Sequence, residues 1–176
     1  MERKAILSLH LATIVGWATL DRAGAASSGT HGFELVRGES SGLRYLRFRR
    51  WIREMLGVLA FRPGRAIDLV AYERPHYGDG ATTAFALGLV AVVEEECARL
   101  RIDLAPVHSG RLRSHATGRR SATEEDLTAA IASRWGRGRD ALNSTEADAL
   151  AVLGWAMDEI GVAPARREDG PRGGAA

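Results

Sequence analysis

The stretch AILSLHLATIVGWATLD, from Ala5 to Asp21, decides how this sequence folds. Its first part, Ala5–Leu11, is an apolar run of the kind that forms a strand buried on both faces of a sheet. A short turn follows, and Gly16–Leu20 is interpreted as the hairpin partner of that strand. The run is interrupted by one titratable side chain, His10, which has to be explained.

The rest of the chain alternates between strand-like and helix-like patterns. Further strands are predicted at 29–34, 67–73 and 102–107, and helices at 42–60, 81–100, 121–135 and 145–160. A capping box of Ser121 and Glu124 is expected to open the third of these helices. The order predicts an α/β domain in which a mixed sheet is flanked by helices. A single domain is expected over residues 1–162, followed by a disordered tail at 163–176.

Bulk composition sets limits on function without choosing one. The chain has 176 residues, of which 45% are hydrophobic and 26% charged, as in an ordinary globular domain. A formal net charge of +2 does not by itself indicate nucleic acid, so the distribution of charge matters more than the sum. The single cysteine, Cys97, excludes an internal disulfide and a multi-cysteine zinc site. No apolar run approaches the roughly 20 residues of a membrane span, and the protein is expected to be cytoplasmic.

Three acidic residues lie where the predicted elements would bring them close to one another. Glu73 ends a predicted strand, and sites in open α/β sheets form at the carboxyl ends of strands. Glu146 and Asp148 lie in the first turn of the last predicted helix. Each has an ordinary alternative: a strand-end glutamate turned to solvent, acids that complement the helix dipole, or a capping box between Thr145 and Asp148. The apolar segment ALAVLGWAM directly follows Asp148, which places this carboxylate near the sheet.

Carboxylates that converge from a strand and a helix form an oxygen-ligand site. Magnesium prefers such ligands and keeps several of its waters. Two such ions can activate a water and stabilise the leaving oxygen when a phosphodiester is cleaved. Glu73 and Asp148, with Glu146 as a third carboxylate, are therefore the candidate metal-binding and catalytic residues of a two-metal site.

Taken in order, the segments ILSLHLATIVGWATLD, DLVAYERPH and TEADALAVLGWA resemble the RuvC-type Holliday junction resolvases, especially their compact phage and prophage versions. These enzymes belong to the RNase H-like nuclease superfamily, and the resemblance covers about residues 5–160. It implies an RNase H-like fold with a mixed five-stranded sheet. It also implies a homodimer that cleaves branched DNA with Mg²⁺ or Mn²⁺. Glu73 would match the second catalytic acid of the family, and Asp148 the last.

The sequence departs from the family pattern at the same site. His10 stands where the family has its first catalytic aspartate. Just before the last helix the family usually carries a further acid, where this chain has Asn143–Thr145. Glu146 is a candidate substitute, although it lies two residues before Asp148 and so does not share its helical face. Near the start of the preceding helix, where a basic residue is common, the chain has Glu124.

His10 has three interpretations. In the first, it is a metal ligand, because imidazole suits manganese or zinc although it suits magnesium poorly. In the second, it is a buried neutral histidine that has lost the metal function. In the third, it is an engineered or erroneous residue. Loss of an anionic ligand weakens a site for a hard cation, so the sequence leaves open a protein that binds branched DNA without cutting it.

Two regions are candidates for contact with DNA. The segment HSGRLRSHATGRR, residues 108–120, is predicted to be a polar loop that contacts phosphates through arginines and backbone amides. Its candidate residues are Arg111, Arg113, Arg119 and Arg120. By the resemblance, Arg113 would contact a phosphate. Tyr77, in the loop after Glu73, is a candidate for stacking on a base. The alternative in both regions is an ordinary solvated loop, and the arginines of the first helix are interpreted as a solvated face or a dimer edge.

The favoured hypothesis is a metal-dependent endodeoxyribonuclease that acts on branched DNA such as a Holliday junction. The alternative is a relative with weakened catalysis that only binds such DNA. A third possibility is an ATPase of the actin and sugar-kinase type, because those proteins share the RNase H-like core. They need a second lobe to close over the nucleotide, and 176 residues leave little room for one.

Overall fold

A computed structural model describes residues 4–57, 67–75, 80–138 and 141–161. Five strands and five helices lie within these ranges, in the order β β β α β α β α α α. The strands are β1 (Ile6–His10), β2 (Ile14–Leu20), β3 (Ala26–Gly32), β4 (Leu69–Glu73) and β5 (Asp103–Val107). The helices are α1 (Ser41–Met55), α2 (Ala81–Leu100), α3 (Ser109–Thr117), α4 (Glu124–Arg134) and α5 (Ser144–Glu159). The tail predicted at 163–176 lies outside the described residues.

The strands form one mixed sheet with the spatial order β3-β2-β1-β4-β5. The first three strands pair antiparallel, whereas β1 with β4 and β4 with β5 pair parallel. The predicted mixed five-stranded sheet is confirmed. Strand β3 begins three residues earlier than predicted, at Ala26, since it pairs along the whole of β2 although the segment ASS has little strand propensity.

Helices cover both faces of the sheet, and the alternation of side chains along β1 shows how. Leu7 and Leu9 pack in a cluster with α1 and α2, whereas Ile6 packs in a second cluster with α4 and α5. Because successive side chains of a strand point to opposite faces, Ser8 and His10 lie on the same face as Ile6. His10 therefore faces the α5 side of the sheet.

Helix α5 lies directly on β1 and β2. The hydroxyl of Ser8, which is fully buried, lies 2.8 Å from the carbonyl oxygen of Ala149 in α5 and 3.1 Å from that of Ala18 in β2. A Cβ added at Gly16 would lie 2.0 Å from the carbonyl oxygen of Thr145. This glycine is therefore what allows the first turn of α5 to approach the sheet so closely.

The segment 108–120 was predicted to be a loop, and that prediction was wrong. Residues Ser109–Thr117 form helix α3, which ends at Gly118 in the left-handed conformation, with φ of 75°. The helix is fixed by Leu112, which is 2% exposed, and by Ala116 four residues later, which packs against the same core. This i, i+4 apolar pair predicts a helix, but it lies among charged residues and glycines that favour a loop.

The two capping boxes predicted for the last helices were placed wrongly. Helix α4 begins at Glu124, and its capping box joins Thr123 to Asp126, with distances of 3.1 and 3.0 Å between the side chains and the backbone nitrogens. Helix α5 is capped by Asn143, whose Oδ1 accepts a hydrogen bond from the backbone N–H of Glu146 at 2.8 Å. Neither Glu124 nor Asp148 is therefore needed to cap a helix.

We predict that Gly16→Ala lowers the free energy of unfolding by about 1–3 kcal/mol, because the added methyl group overpacks the contact between β2 and α5. Urea unfolding followed by circular dichroism measures the change. The matched control is Gly42→Ala in α1, where the nearest atom to the added Cβ is the Ser40 hydroxyl at 3.8 Å. The control should be neutral or more stable by up to about 1 kcal/mol. Equal stability of the two variants would contradict the role given to Gly16.

Candidate metal centre

The parallel pairing of β1 with β4 brings His10 and Glu73 side by side. Leu9 is in register with Tyr72, and each of the two site residues comes directly after one of this pair. Leu69 and Ala71 of β4 pack in the α5-side cluster, so the alternation along the strand places Glu73 on that face as well. Both side chains thus lie at the carboxyl edge of the sheet and on the same face as α5.

Asp148 completes the group from the second turn of α5. The Nδ1 atom of His10 lies 2.9 Å from Oε2 of Glu73 and 3.7 Å from Oδ2 of Asp148. One ligand atom from each of the three residues can be chosen such that all lie within 4.8 Å of one another. The side chains of His10, Glu73 and Asp148 are 26%, 13% and 22% exposed. The trio is therefore sheltered but still reachable from solvent.

The electrostatics of the trio reflect three titratable groups in one sheltered place. The pKa of Asp148 is raised to about 6, mainly by burial; the charges of Glu73 and Glu124 contribute to the rise, while those of His10 and Arg113 oppose it. Burial lowers the pKa of His10, but the hydrogen bond to Glu73 and the nearby carboxylates outweigh it, so that the pKa is raised overall. When the ring is protonated, the Nδ1–H of His10 donates to the Glu73 carboxylate, and the imidazolium acts as an internal counter-charge.

The donor set fits a divalent cation. Two carboxylates and one imidazole within 4.8 Å can share one ion, and a nitrogen ligand shifts the preference away from magnesium and towards manganese or zinc. A cation bound at Nδ1 of His10 would take the place of the proton that a protonated ring shares with Glu73. Metal binding and protonation of His10 therefore compete.

The trio opens into a cavity of about 280 Å³ between β1, β4, α3, α4 and α5. Two further charged side chains line it, namely Arg113 of α3 and Glu124 of α4. The other lining residues are Ser109, Leu112, Leu127, Ser144 and Thr145. Among the predicted DNA contacts that the structure describes, Arg113 is the one that lines this cavity.

Glu146, the fourth predicted metal or catalytic candidate, is not brought into the trio. Its carboxylate accepts hydrogen bonds from the hydroxyl of Ser28 in β3 at 2.6 Å and from the guanidinium of Arg137 at 2.9 Å. It is 9% exposed and lies towards β3, since the two-residue offset from Asp148 turns it to another side of α5. Its contacts join α5 to the edge of the sheet.

The other predicted DNA-contacting arginines have different surroundings. Arg111 forms a salt bridge with Glu159, and its guanidinium lies 5.5 Å from the centre of the Trp155 ring. Arg119 forms a salt bridge with Asp126 at 3.1 Å. Arg120 is exposed in the turn after α3. Tyr77 lies outside the described residues.

Several arginines of α1 form ion pairs within the chain. Arg49 and Arg53 both pair with Glu96 of α2, whose side chain is 1% exposed, at 2.9 and 2.8 Å. Arg47 pairs with Glu39 at 2.8 Å. The inward-facing part of this arginine-rich face therefore stabilises the contact between α1 and α2.

Glu124 is a cavity residue that sequence reasoning did not include among the candidates. The capping box predicted for Ser121 and Glu124 assigned this glutamate to the cap of α4. Its position in the cavity was therefore not considered. A signal was nevertheless present in the segment TEEDL, because Thr123 and Asp126 have the spacing of a capping box that leaves Glu124 without a capping role.

Comparison with known proteins identifies the fold. No protein-family profile matches the sequence, and no curated protein matches it. A structure of Thermus thermophilus RuvC in complex with a Holliday junction substrate superposes with a TM-score of 0.70, at 16% identity, over 92% of this chain and 99% of that one. A second T. thermophilus RuvC structure gives a TM-score of 0.67 at 18% identity, over 91% and 98% of the two chains. The predicted RNase H-like fold of the RuvC type is confirmed.

We predict that metal-free Asp148→Asn is more stable than the wild type at pH 8 by about 1–3 kcal/mol, because a pKa raised on folding makes the ionised carboxylate destabilising. The advantage should shrink as the pH falls from about 6 towards 4, where the folded wild-type carboxyl is protonated and the unfolded one is about half ionised. Urea unfolding in EDTA at pH 8 and pH 4 measures it. Added Mn²⁺ should stabilise the wild type but not the variant. A variant less stable than the wild type at pH 8 would contradict the electrostatic analysis.

Proposed function

We propose that this chain is a metal-dependent endodeoxyribonuclease that cleaves branched DNA such as a Holliday junction. The observation that carries the proposal is the convergence of His10, Glu73 and Asp148 at the carboxyl edge of a sheet with the RuvC fold. A neighbour in that fold is a RuvC in complex with a Holliday junction substrate. The described residues include no helix with the length and apolar character needed to cross a membrane.

The proposed division of labour follows from the geometry. Glu73 and Asp148 provide anionic oxygens, and His10 provides a nitrogen, for one or two divalent cations of the Mg²⁺ or Mn²⁺ type. When bound, such a cation supplies Lewis-acid charge for the attack of water on a phosphodiester and for the leaving oxygen. The residues of the chain hold the ligand atoms in fixed positions on two strands and a helix, because rigid elements limit their movement.

Arg113 is proposed to hold the DNA backbone beside the metal centre. It lines the same cavity as the trio. Its positive charge lowers the pKa of Asp148, so the guanidinium is close enough to interact electrostatically with the metal centre. A phosphate that enters the cavity would meet this positive charge, which offsets the repulsion of the carboxylates. Arg111, Arg119 and Arg120 are proposed as outer contacts, and Tyr77 as a residue that stacks on a base.

A homodimer is proposed as the working form. A four-way junction presents two strands in symmetric positions, and two copies of one site related by a twofold axis would match that symmetry. Sedimentation of the protein with and without a four-way junction tests this. A single copy bound per junction would contradict it.

The alternative is a protein that binds branched DNA without cutting it. The distance of 2.9 Å between His10 and Glu73 favours this alternative, because a protonated ring at this distance would neutralise the ligand atoms that a cation needs. Replacement of His10 by aspartate distinguishes the two, since it restores a hard anionic ligand and removes the internal cation.

We predict that the wild type cleaves a synthetic four-way junction faster in Mn²⁺ than in Mg²⁺, because His10 contributes a nitrogen ligand. Asp148→Asn should abolish cleavage while binding to the junction persists. His10→Asp should increase cleavage in Mg²⁺ relative to Mn²⁺. Denaturing gels of end-labelled strands measure the products.

Three outcomes of that experiment are informative. Cleavage that survives Asp148→Asn would contradict the proposed site. No cleavage by the wild type in either metal, together with tight binding and a gain of cleavage in His10→Asp, would establish the non-cutting alternative. Absence of both cleavage and binding would reject both functions.

We predict that Arg113→Ala weakens junction binding and reduces the dependence of log affinity on log salt by about 0.9, the value for one lost phosphate contact. Arg111→Ala, on the same helix, is the comparison variant and should lose less affinity as an outer contact, because its guanidinium is already paired with Glu159. Fluorescence anisotropy at several salt concentrations measures both. A larger loss in the Arg111 variant would reverse the order proposed for the two residues.

A further inference from the structure

The first turn of α4 carries three acids in succession, and they differ in what surrounds them. Asp126 closes the capping box with Thr123 and pairs with Arg119. Glu124 and Glu125 are both exposed, and Glu125 does not line the cavity. Glu124 lines the cavity together with His10 and Asp148. Stabilisation of the helix dipole would be served by any of the three, so it does not explain why one of them faces the metal centre.

The carboxylate of Glu124 has no competing role in the described part of the chain. No hydrogen bond or salt bridge of the described residues engages it, and the capping of α4 is carried out by its neighbours. It nevertheless shares one cavity with the trio and with Arg113. Glu73 and Asp148 already line this cavity, so the negative charge of Glu124 adds a repulsion there that a bound cation would relieve.

We propose that Glu124 is a fourth protein group that faces the divalent cation, an inference that deepens the function proposed above and rests on it. His10 brings no negative charge when it acts as a ligand, so the trio alone offers a formal charge of −2 to a divalent cation. Glu124 makes the formal charge −3. Its oxygens are not among the ligand atoms that lie within 4.8 Å of one another, so it would act through a water that the cation retains. Helix α4 would thereby become part of the metal centre.

The test measures metal binding without DNA, so that it does not depend on cleavage. Isothermal titration with Mn²⁺ at pH 8 is carried out on the wild type and on Glu124→Gln, Glu125→Gln and Asp148→Asn. Glu124→Gln should weaken binding about 10–100-fold, the usual cost of losing a supporting group at a metal site. Glu125→Gln, one residue along the same helical turn, should bind as the wild type does. Glu124→Asp should recover part of the loss.

A purely structural role for Glu124 would give a different pattern. In that case Glu124→Gln would change the stability of the metal-free protein and leave the Mn²⁺ affinity equal to that of Glu125→Gln. Equal affinities of these two variants, with binding lost in Asp148→Asn, would overturn the proposal for Glu124 while the metal-dependent function stands. Failure of the wild type itself to bind Mn²⁺ would overturn both.

Discussion

Helix α5 lies so close to the sheet that a single methyl group would not fit between them at Gly16, and the candidate site depends on that contact. The carbonyl of Thr145 occupies the space that a side chain at position 16 would need. The buried hydroxyl of Ser8 bonds across the same boundary. Because Asp148 follows Thr145 by less than one turn, the contact that seats the helix also sets the distance from this carboxylate to His10. A looser packing of α5 would separate the trio without changing any of its residues.

At this site a histidine can compensate the charge of two sheltered carboxylates. Two sheltered carboxylates repel each other, and an unpaired charge of this kind is costly. His10 lies 2.9 and 3.7 Å from their oxygens and can carry the compensating charge as an imidazolium. The same ring, once it loses its proton, offers a nitrogen to a metal. A protonated His10 would thus stabilise the metal-free state, and a cation that bound its ring nitrogen would have to compete with a proton.

Acids in similar sequence settings have different roles, which are decided by what each one meets. Glu146 binds Ser28 and Arg137 and joins α5 to the sheet edge, whereas Asp148, two residues later, faces His10. The helix caps are provided by Asn143 and by Thr123 with Asp126. Because other residues cap the two helices, the carboxylates of Asp148 and Glu124 are free to face the cavity. Which residue caps each helix does not follow from composition alone.

The sequence by itself determined the layered α/β fold, the burial of β1 on both faces and the helix at 81–100. These features follow from the spacing of apolar residues, which is a local property of the sequence and reflects which side chains are buried. It also placed Glu73 and Asp148 at the ends of elements that meet. Only the tertiary structure decided that segment 108–120 is helical, that Arg113 but not Arg111 lines the cavity, that Glu146 faces away, and that Glu124 faces in. These outcomes depend on contacts between residues distant in sequence, such as Leu112 in the core and Arg111 on Glu159, where energies of one or two kcal/mol from packing override local propensity.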